Sequence, residues 1–308
     1  MKLGLYSDGL GHLPLVDCLD FCRQRALQCI ELGTGNWSEA PHIALASLLA
    51  SASRRDELLG GIAARGLTIS ALNCSGNPLH PGAVGEQHRK TIADSIVLAA
   101  RLGVGRIVTM SGCPGGPGDS HANWIVTSWP PEARDILAWQ WREQVIPYWI
   151  ELAAMARDHG VRLCLEMHGT QCVYNVETFD RLREATGESV GINFDPSHLL
   201  WMGADPIAAV GRLAGSIFHA HAKDTRLEAM AAINSRLDAK PVMPVEGRSW
   251  NFVAVGRGQD ASFWRALIAA LRRAGYDDVL SIENEDYALS AADAIDASIA
   301  CLRGAIAA

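Results

Sequence analysis

Four short stretches of this 308-residue chain end apolar runs in side chains that bind cations: RLCLEMH, GINFDPSH, FHAHAKD and LSIENED. They deliver Glu166, Asp195, His221 and Glu283, in that order. Three carboxylates and one imidazole form a hard, oxygen-rich donor set. It suits one divalent ion, Mn²⁺ first, with Mg²⁺ or Co²⁺ as alternatives, better than a structural zinc site built on Cys and His. Three carboxylates of about −3 charge facing a +2 ion would leave positions open to neutral hydroxyl or carbonyl oxygens. Strand alternation gives a consistency check. His219, His221 and Lys223 share one face, as do Cys164, Glu166 and His168, and Ser281, Glu283 and Glu285. Any one strand-end charge can simply reach water. Four on successive strands read as a metal site, with His219 deeper, as a core histidine behind it.

The elements that must position these residues follow from a recurring pattern: a long amphipathic segment, a Gly, then a short apolar run with a polar end. It appears as AARG-LTISALN, ARLG-VGRIVTMSG, RDHG-VRLCLEMHG, EATG-ESVGINFDPSH, RLAG-SIFHAHAKD and RRAG-YDDVLSIENED. Gly just past a helix is a left-handed C-cap, and runs rich in Ile, Val and Leu are parallel strands buried on both faces. With LGLYS and CIELG added, eight strands alternate with eight helices. That count predicts an α/β fold, a (β/α)₈ TIM barrel forming a single domain over residues 1–308. A doubly wound open sheet is the alternative, but no G-x-G-x-x-G follows the first strand, where a Rossmann fold would place it. Two long connections, 111–131 and 225–260, follow strands and so belong to the face where barrel active sites are built.

Composition narrows the partners. The chain is 49% hydrophobic and 20% charged, with a formal charge of −7 and no Lys/Arg cluster, which argues against nucleic acid. No apolar stretch of about 20 residues indicates a membrane span, and the N-terminus has no secretory h-region. Eight cysteines without a C-x-x-C pair fit reduced thiols in a cytoplasmic protein.

The motifs LEMH, NFDPSH, HAHAKDT and LSIENED resemble those of the xylose isomerase-like TIM barrel superfamily, also called apurinic endonuclease family 2 or sugar phosphate isomerases/epimerases. The resemblance covers most of the chain. It implies that Glu166, Asp195, His221 and Glu283 hold a divalent ion, and that Glu166 and Glu283 also act as the catalytic carboxylates. His198 matches a family His three residues after the Asp; where ketose 3-epimerases continue toward a substrate-binding Arg, this sequence has Lys223-Asp224. The implied chemistry is isomerisation or epimerisation of a keto-sugar, or a related polyol or glycoside, through proton abstraction and a metal-stabilised enediolate. The alternative is a lyase on the same scaffold, similar to inosose dehydratase or to enzymes that cleave 3-keto-glycosides, the C-deglycosidases. Phosphodiester cleavage needs a larger, His-rich cluster and a basic surface.

His168, His198 and Lys223 are expected to bind substrate oxygens, and Glu31 to reach a hydroxyl from across the barrel mouth. Asn73, His80 and Ser111 are weaker candidates for the mouth. Trp124 and Trp129 in the first long connection, with Trp37 and Trp201, offer aromatic faces to a neutral sugar or aglycone. Trp139, Trp141 and Trp149 read as helix packing. Gly256-Arg257-Gly258 could still take a phosphate. The expected partner is a small carbohydrate, with a homo-oligomer or a small partner subunit possible.

Overall fold

Eight short parallel strands close on themselves in the computed structural model, which describes residues 1–307. They are β1 (Lys2–Tyr6), β2 (Cys29–Gly33), β3 (Thr68–Asn73), β4 (Arg106–Met110), β5 (Arg162–Glu166), β6 (Val190–Phe194), β7 (Ile217–Ala222) and β10 (Val279–Ile282). Each pairs with the next, and β10 closes the ring between β7 and β1. Strands β2, β6, β7 and β10 are buried along their whole length, as expected of a parallel sheet covered by helices outside and filled within. The six Gly positions of the repeated pattern, Gly66, Gly103, Gly160, Gly187, Gly215 and Gly275, all have φ between 68° and 89°. Positive φ at these positions, which Gly adopts without a Cβ penalty, sends each helix back into the barrel; Gly103 is a left-handed C-cap, while Gly187, at ψ −160°, is not.

The outer layer is α1 (Leu15–Gln24), α2 (Leu45–Ala50), α3 (Ala52–Ala63), α4 (Ala83–Leu102), α5 (Pro131–Trp139), α6 (Ile146–Asp158), α7 (Val176–Thr186), α8 (Pro196–Met202), α9 (Pro206–Arg212), α10 (Ala231–Asn234), α11 (Ala261–Arg273) and α12 (Ala291–Ala307). The expected eight helices are therefore supplemented. One π-helical turn, Gln140–Val145, joins α5 to α6, and α8 and α10 lie in loops at the strand C-termini. The 225–260 connection also carries structure. At its start β8 (Asp224–Leu227) pairs antiparallel with β9 (Trp250–Val253), from Asp224↔Val253 to Leu227↔Trp250.

The main core lies between barrel and helices, where Trp141, Trp149 and Trp264 are fully buried. Trp149 keeps its indole N–H paired, donating to the Ser111 carbonyl at 2.9 Å. Trp141 and Trp149 thus do pack the helix layer. Inside the barrel, below the site, Ala71, Val108, Cys164 and Phe218 form a small apolar plug. All eight cysteines are free. Among the described residues, no helix is long and apolar enough to cross a membrane.

Candidate metal centre and active site

Asp195 shows how local sequence builds the site. It ends β6 and is the N-cap of α8, its Oδ1 accepting from the Ser197 N–H at 2.8 Å. Pro196 follows at the first helical position, where its missing N–H costs nothing. Capping consumes one carboxylate oxygen and aims the other inward. The helix turn then brings His198 back over the strand end, its Nε2 3.2 Å from both Asp195 Oδ2 and Glu166 Oε1.

Glu166, Asp195, His221 and Glu283 each place one ligand atom within 4.8 Å of all the others. The chain brings together the four residues expected from sequence. All but Glu283 are almost wholly inaccessible. His221 Nδ1 lies 3.1 Å from Glu166 Oε2 and 3.0 Å from Glu283 Oε2, yet it forms no hydrogen bond there, and neither do Asp195 Oδ2, Glu283 Oε2 or His198 Nε2. Buried polar atoms are seldom left unpaired, because desolvation without a partner costs about 1–3 kcal/mol or more each. Acceptors crowded around one point fit a divalent cation. The hard donor set fits it too, so the residues present suit the ion.

Electrostatics separate the two glutamates. Burial raises the Glu283 carboxyl above its ordinary range, and Lys223 and His221 offset this only in part. Burial also opposes ionisation of Glu166, but His198 and His221 outweigh it and hold that carboxyl well below the usual range. Asn193 donates to Glu166 Oε2 at 2.7 Å.

Above these atoms opens a cavity of about 570 Å³ lined on one side by His168, His198, Lys223 and Phe252, and on the other by Tyr6, Asp8 and Trp37. His168 packs against His198 at 4.1 Å between ring centroids. Burial first, then the neighbouring His198, presses its pKa down to about 3, so it is a neutral ring. Lys223 pairs with Glu285 at 3.0 Å and Glu283 at 3.4 Å, and its ammonium sits 4.2 Å over the Phe252 ring. Burial works against that charge; Glu283 and Glu285 overcome it and raise the pKa.

Several expected positions differ. Glu31 does not stand at the mouth. It is fully buried beneath His221, with both oxygens 3.0 Å from His221 Nε2: alternation points it inward, but the stagger of the neighbouring strands sets it below the rim. Trp124 faces away from the cavity, edge-on to Tyr174 at 5.6 Å beside a separate recess. Trp129 is 74% exposed and lies outside the cavity lining. Trp201 stands behind the site, its indole N–H 3.4 Å from His198 Nδ1. His80 borders another recess, and Ser111 is buried, accepting from the Val173 N–H. The Gly256–Gly258 turn already holds an anion: Asp224 accepts backbone N–H groups of Gly256, Gly258 and Gln259. Asn73 and Trp37 do line the cavity, and His219 is a core histidine.

Tyr6, Asp8, Phe252 and Glu285 line the cavity without belonging to the ligand set. Asp8 lies two residues past β1, in the turn Ser7–Leu10, whereas Asp195 directly follows β6. Glu285 shares the face of Glu283. Phe252 lies in a connection with no period to mark it.

Comparison with known proteins agrees with this geometry. The family model described as xylose isomerase-like TIM barrel matches residues 19–305. The chain is 45% identical over 311 residues to the uncharacterized protein YfiH of Bacillus subtilis, covering 99% of each. An inosose dehydratase of Clostridium beijerinckii is 32% identical over 84 residues, 27% of this chain and 28% of that one. Among solved structures, the IolI protein with a binding zinc atom superposes with a TM-score of 0.69 at 20% identity, covering 100% and 98% of the two chains. An L-ribulose 3-epimerase gives 0.62 at 17%, covering 99% and 96%. At such identities the structures share the fold.

Proposed function

We propose a function from one premise: the chain belongs to the xylose isomerase-like TIM barrel family. It is a divalent-metal-dependent isomerase or epimerase of a keto-sugar, or of a related polyol or glycoside, that removes a proton beside a carbonyl. The observation that carries this reading is the convergence of Glu166, Asp195, His221 and Glu283, with unpaired buried atoms on three of them, beneath a cavity that Glu166 and Glu283 line.

A bound ion, Mn²⁺ before Mg²⁺ or Co²⁺, would polarise a carbonyl and a neighbouring hydroxyl and so acidify the C–H between them. The chain supplies the proton chemistry. Carboxylates pushed apart by their surroundings take different roles. Glu283, at the cavity floor, is the group that takes the proton. Glu166, held ionised, serves the opposite face, which epimerisation requires and isomerisation does not. Lys223 and His168 orient substrate oxygens, and Trp37 covers the sugar's apolar face. A neutral substrate is favoured, because the Gly256–Gly258 turn is filled by Asp224.

Dehydration is the second reading, favoured by the similarity to an inosose dehydratase. It begins with the same proton abstraction and ends in loss of a β-hydroxyl. The test is proton NMR in D₂O with Mn²⁺-loaded protein, stopped by chelation, over ketoses, inososes and 3-keto-glycosides. Deuterium at one carbon of a new isomer is expected, with Glu283→Gln inactive. Loss of water or aglycone selects the lyase. Absence of exchange with every substrate overturns proton abstraction.

A further inference from the structure

His221 is held from both sides. Its Nδ1 faces Glu166 and Glu283 without a hydrogen bond. Its Nε2 faces Glu31, which reaches it from β2, on the far side of β1 and β10 from β7. Glu31 is itself fixed. Asn73 Nδ2 donates to its Oε1 at 2.8 Å, and Ser281 Oγ donates to its Oε2 at 2.7 Å. Asn73 cannot turn away, because its Oδ1 accepts from the Ser75 N–H at 2.9 Å. Both Glu31 oxygens can only accept, so they call for the ring hydrogen on His221 Nε2 and leave Nδ1 as the nitrogen that can offer a lone pair to an ion.

Glu31, His219 and His221 also approach one another closely enough to suggest a second ion site. His219 argues against it. Its Nδ1 bonds Asn193 Oδ1 at 2.8 Å and its Nε2 lies 3.4 Å from Ser70 Oγ, so both nitrogens are engaged. The group is a support beneath one site.

We infer that Glu31 is a positioning residue for the metal centre: it locks the tautomer and orientation in which His221 ligates through Nδ1. The inference rests on the metal-dependent reading above. Outer carboxylates that hold a ligating His typically change metal affinity about 10- to 100-fold when removed.

The experiment measures Mn²⁺ affinity of chelator-stripped wild type, Glu31→Gln and Ser281→Ala by competition with a fluorescent chelator, alongside the thermal midpoint of each metal-free protein. Glu31→Gln is expected to weaken Mn²⁺ binding about 10- to 100-fold, and Ser281→Ala less, in the same direction. A purely structural role would lower the metal-free midpoint and leave the affinity of the folded protein unmoved, and that result overturns the inference. If Glu31→Gln does not fold, unchanged affinity in Ser281→Ala overturns it equally. Wild type that binds no Mn²⁺, Mg²⁺ or Co²⁺ removes the metal-dependent reading itself, and this inference with it.

Discussion

Asp195 does two jobs with two oxygens, and they can be separated. Asn is as good an N-cap as Asp, so Asp195→Asn keeps the acceptor for the Ser197 N–H and removes only the inward charge. Metal-free Asp195→Asn should therefore melt close to wild type. Its Mn²⁺ affinity should fall at least as far as loss of an outer partner would cause, roughly 10- to 100-fold. Calorimetric titration beside a melting curve checks both, and a variant that binds Mn²⁺ normally would remove Asp195 from the ligand set. At this scale the sequence was most informative where chemistry and position coincide. A carboxylate closing an apolar strand has few other reasons to be there. Glu31 had the same signature, yet depth along a barrel strand depends on the shear of its neighbours, so the layer it occupies was not legible.

The loops that close over the strand ends are held by close contacts at two points. Gly169, after β5, lies against Trp201 so tightly that a Cβ would overlap the indole ring. Gly169→Ala should displace Trp201 from His198, cost about 1–3 kcal/mol as overpacking does, and slow deuterium exchange. A stable, fully active variant would show that the Trp201–His198 contact is dispensable. Asp224 is wholly buried and gathers the Gly256, Gly258 and Gln259 N–H groups and the Trp264 indole N–H. In Asp224→Asn an amide NH₂ must face some of these donors. The expected loss is about 2–4 kcal/mol, since hydrogen bonds to a charged group are worth about 1.5–3 each. Urea denaturation gives the loss, and proteolysis should begin between residues 254 and 260. The glycine turns and buried strands were readable because their signals are local. The β8–β9 pairing was not, because two strands of four residues so far apart carry no turn signature to join them.

At the scale of the whole molecule, buried histidines govern the expected response to acid. His88 is buried and accepts the Asn77 N–H on Nδ1 at 2.9 Å, and burial lowers its pKa. Burial lowers that of His42 as well. A folded pKa below the unfolded value of about 6.5 means the unfolded chain takes up the proton first. Stability is thus fully present above about pH 6.5 and declines as pH falls below it. Urea midpoints at pH 7.5 and 5.5 should show the decline, reduced in His88→Asn; a flat profile contradicts it. An ion bound only by the folded chain adds stability as well, about 2.7 kcal/mol at a hundred times its dissociation constant. Chelation should lower the wild-type melting temperature and leave Asp195→Asn nearly unmoved. The four ligands all lie after residue 160, on β5, β6 and β10 ends and on β7, whereas Tyr6, Asp8, Trp37, Ser38 and Asn73 bring the first three strands to the facing cavity wall. The carboxylate and imidazole cluster thus comes from the second half of the chain alone, while the cavity wall above it is drawn from both halves. A change at Trp37 or Ser38 can therefore reshape the cavity without touching any of the four clustered side chains.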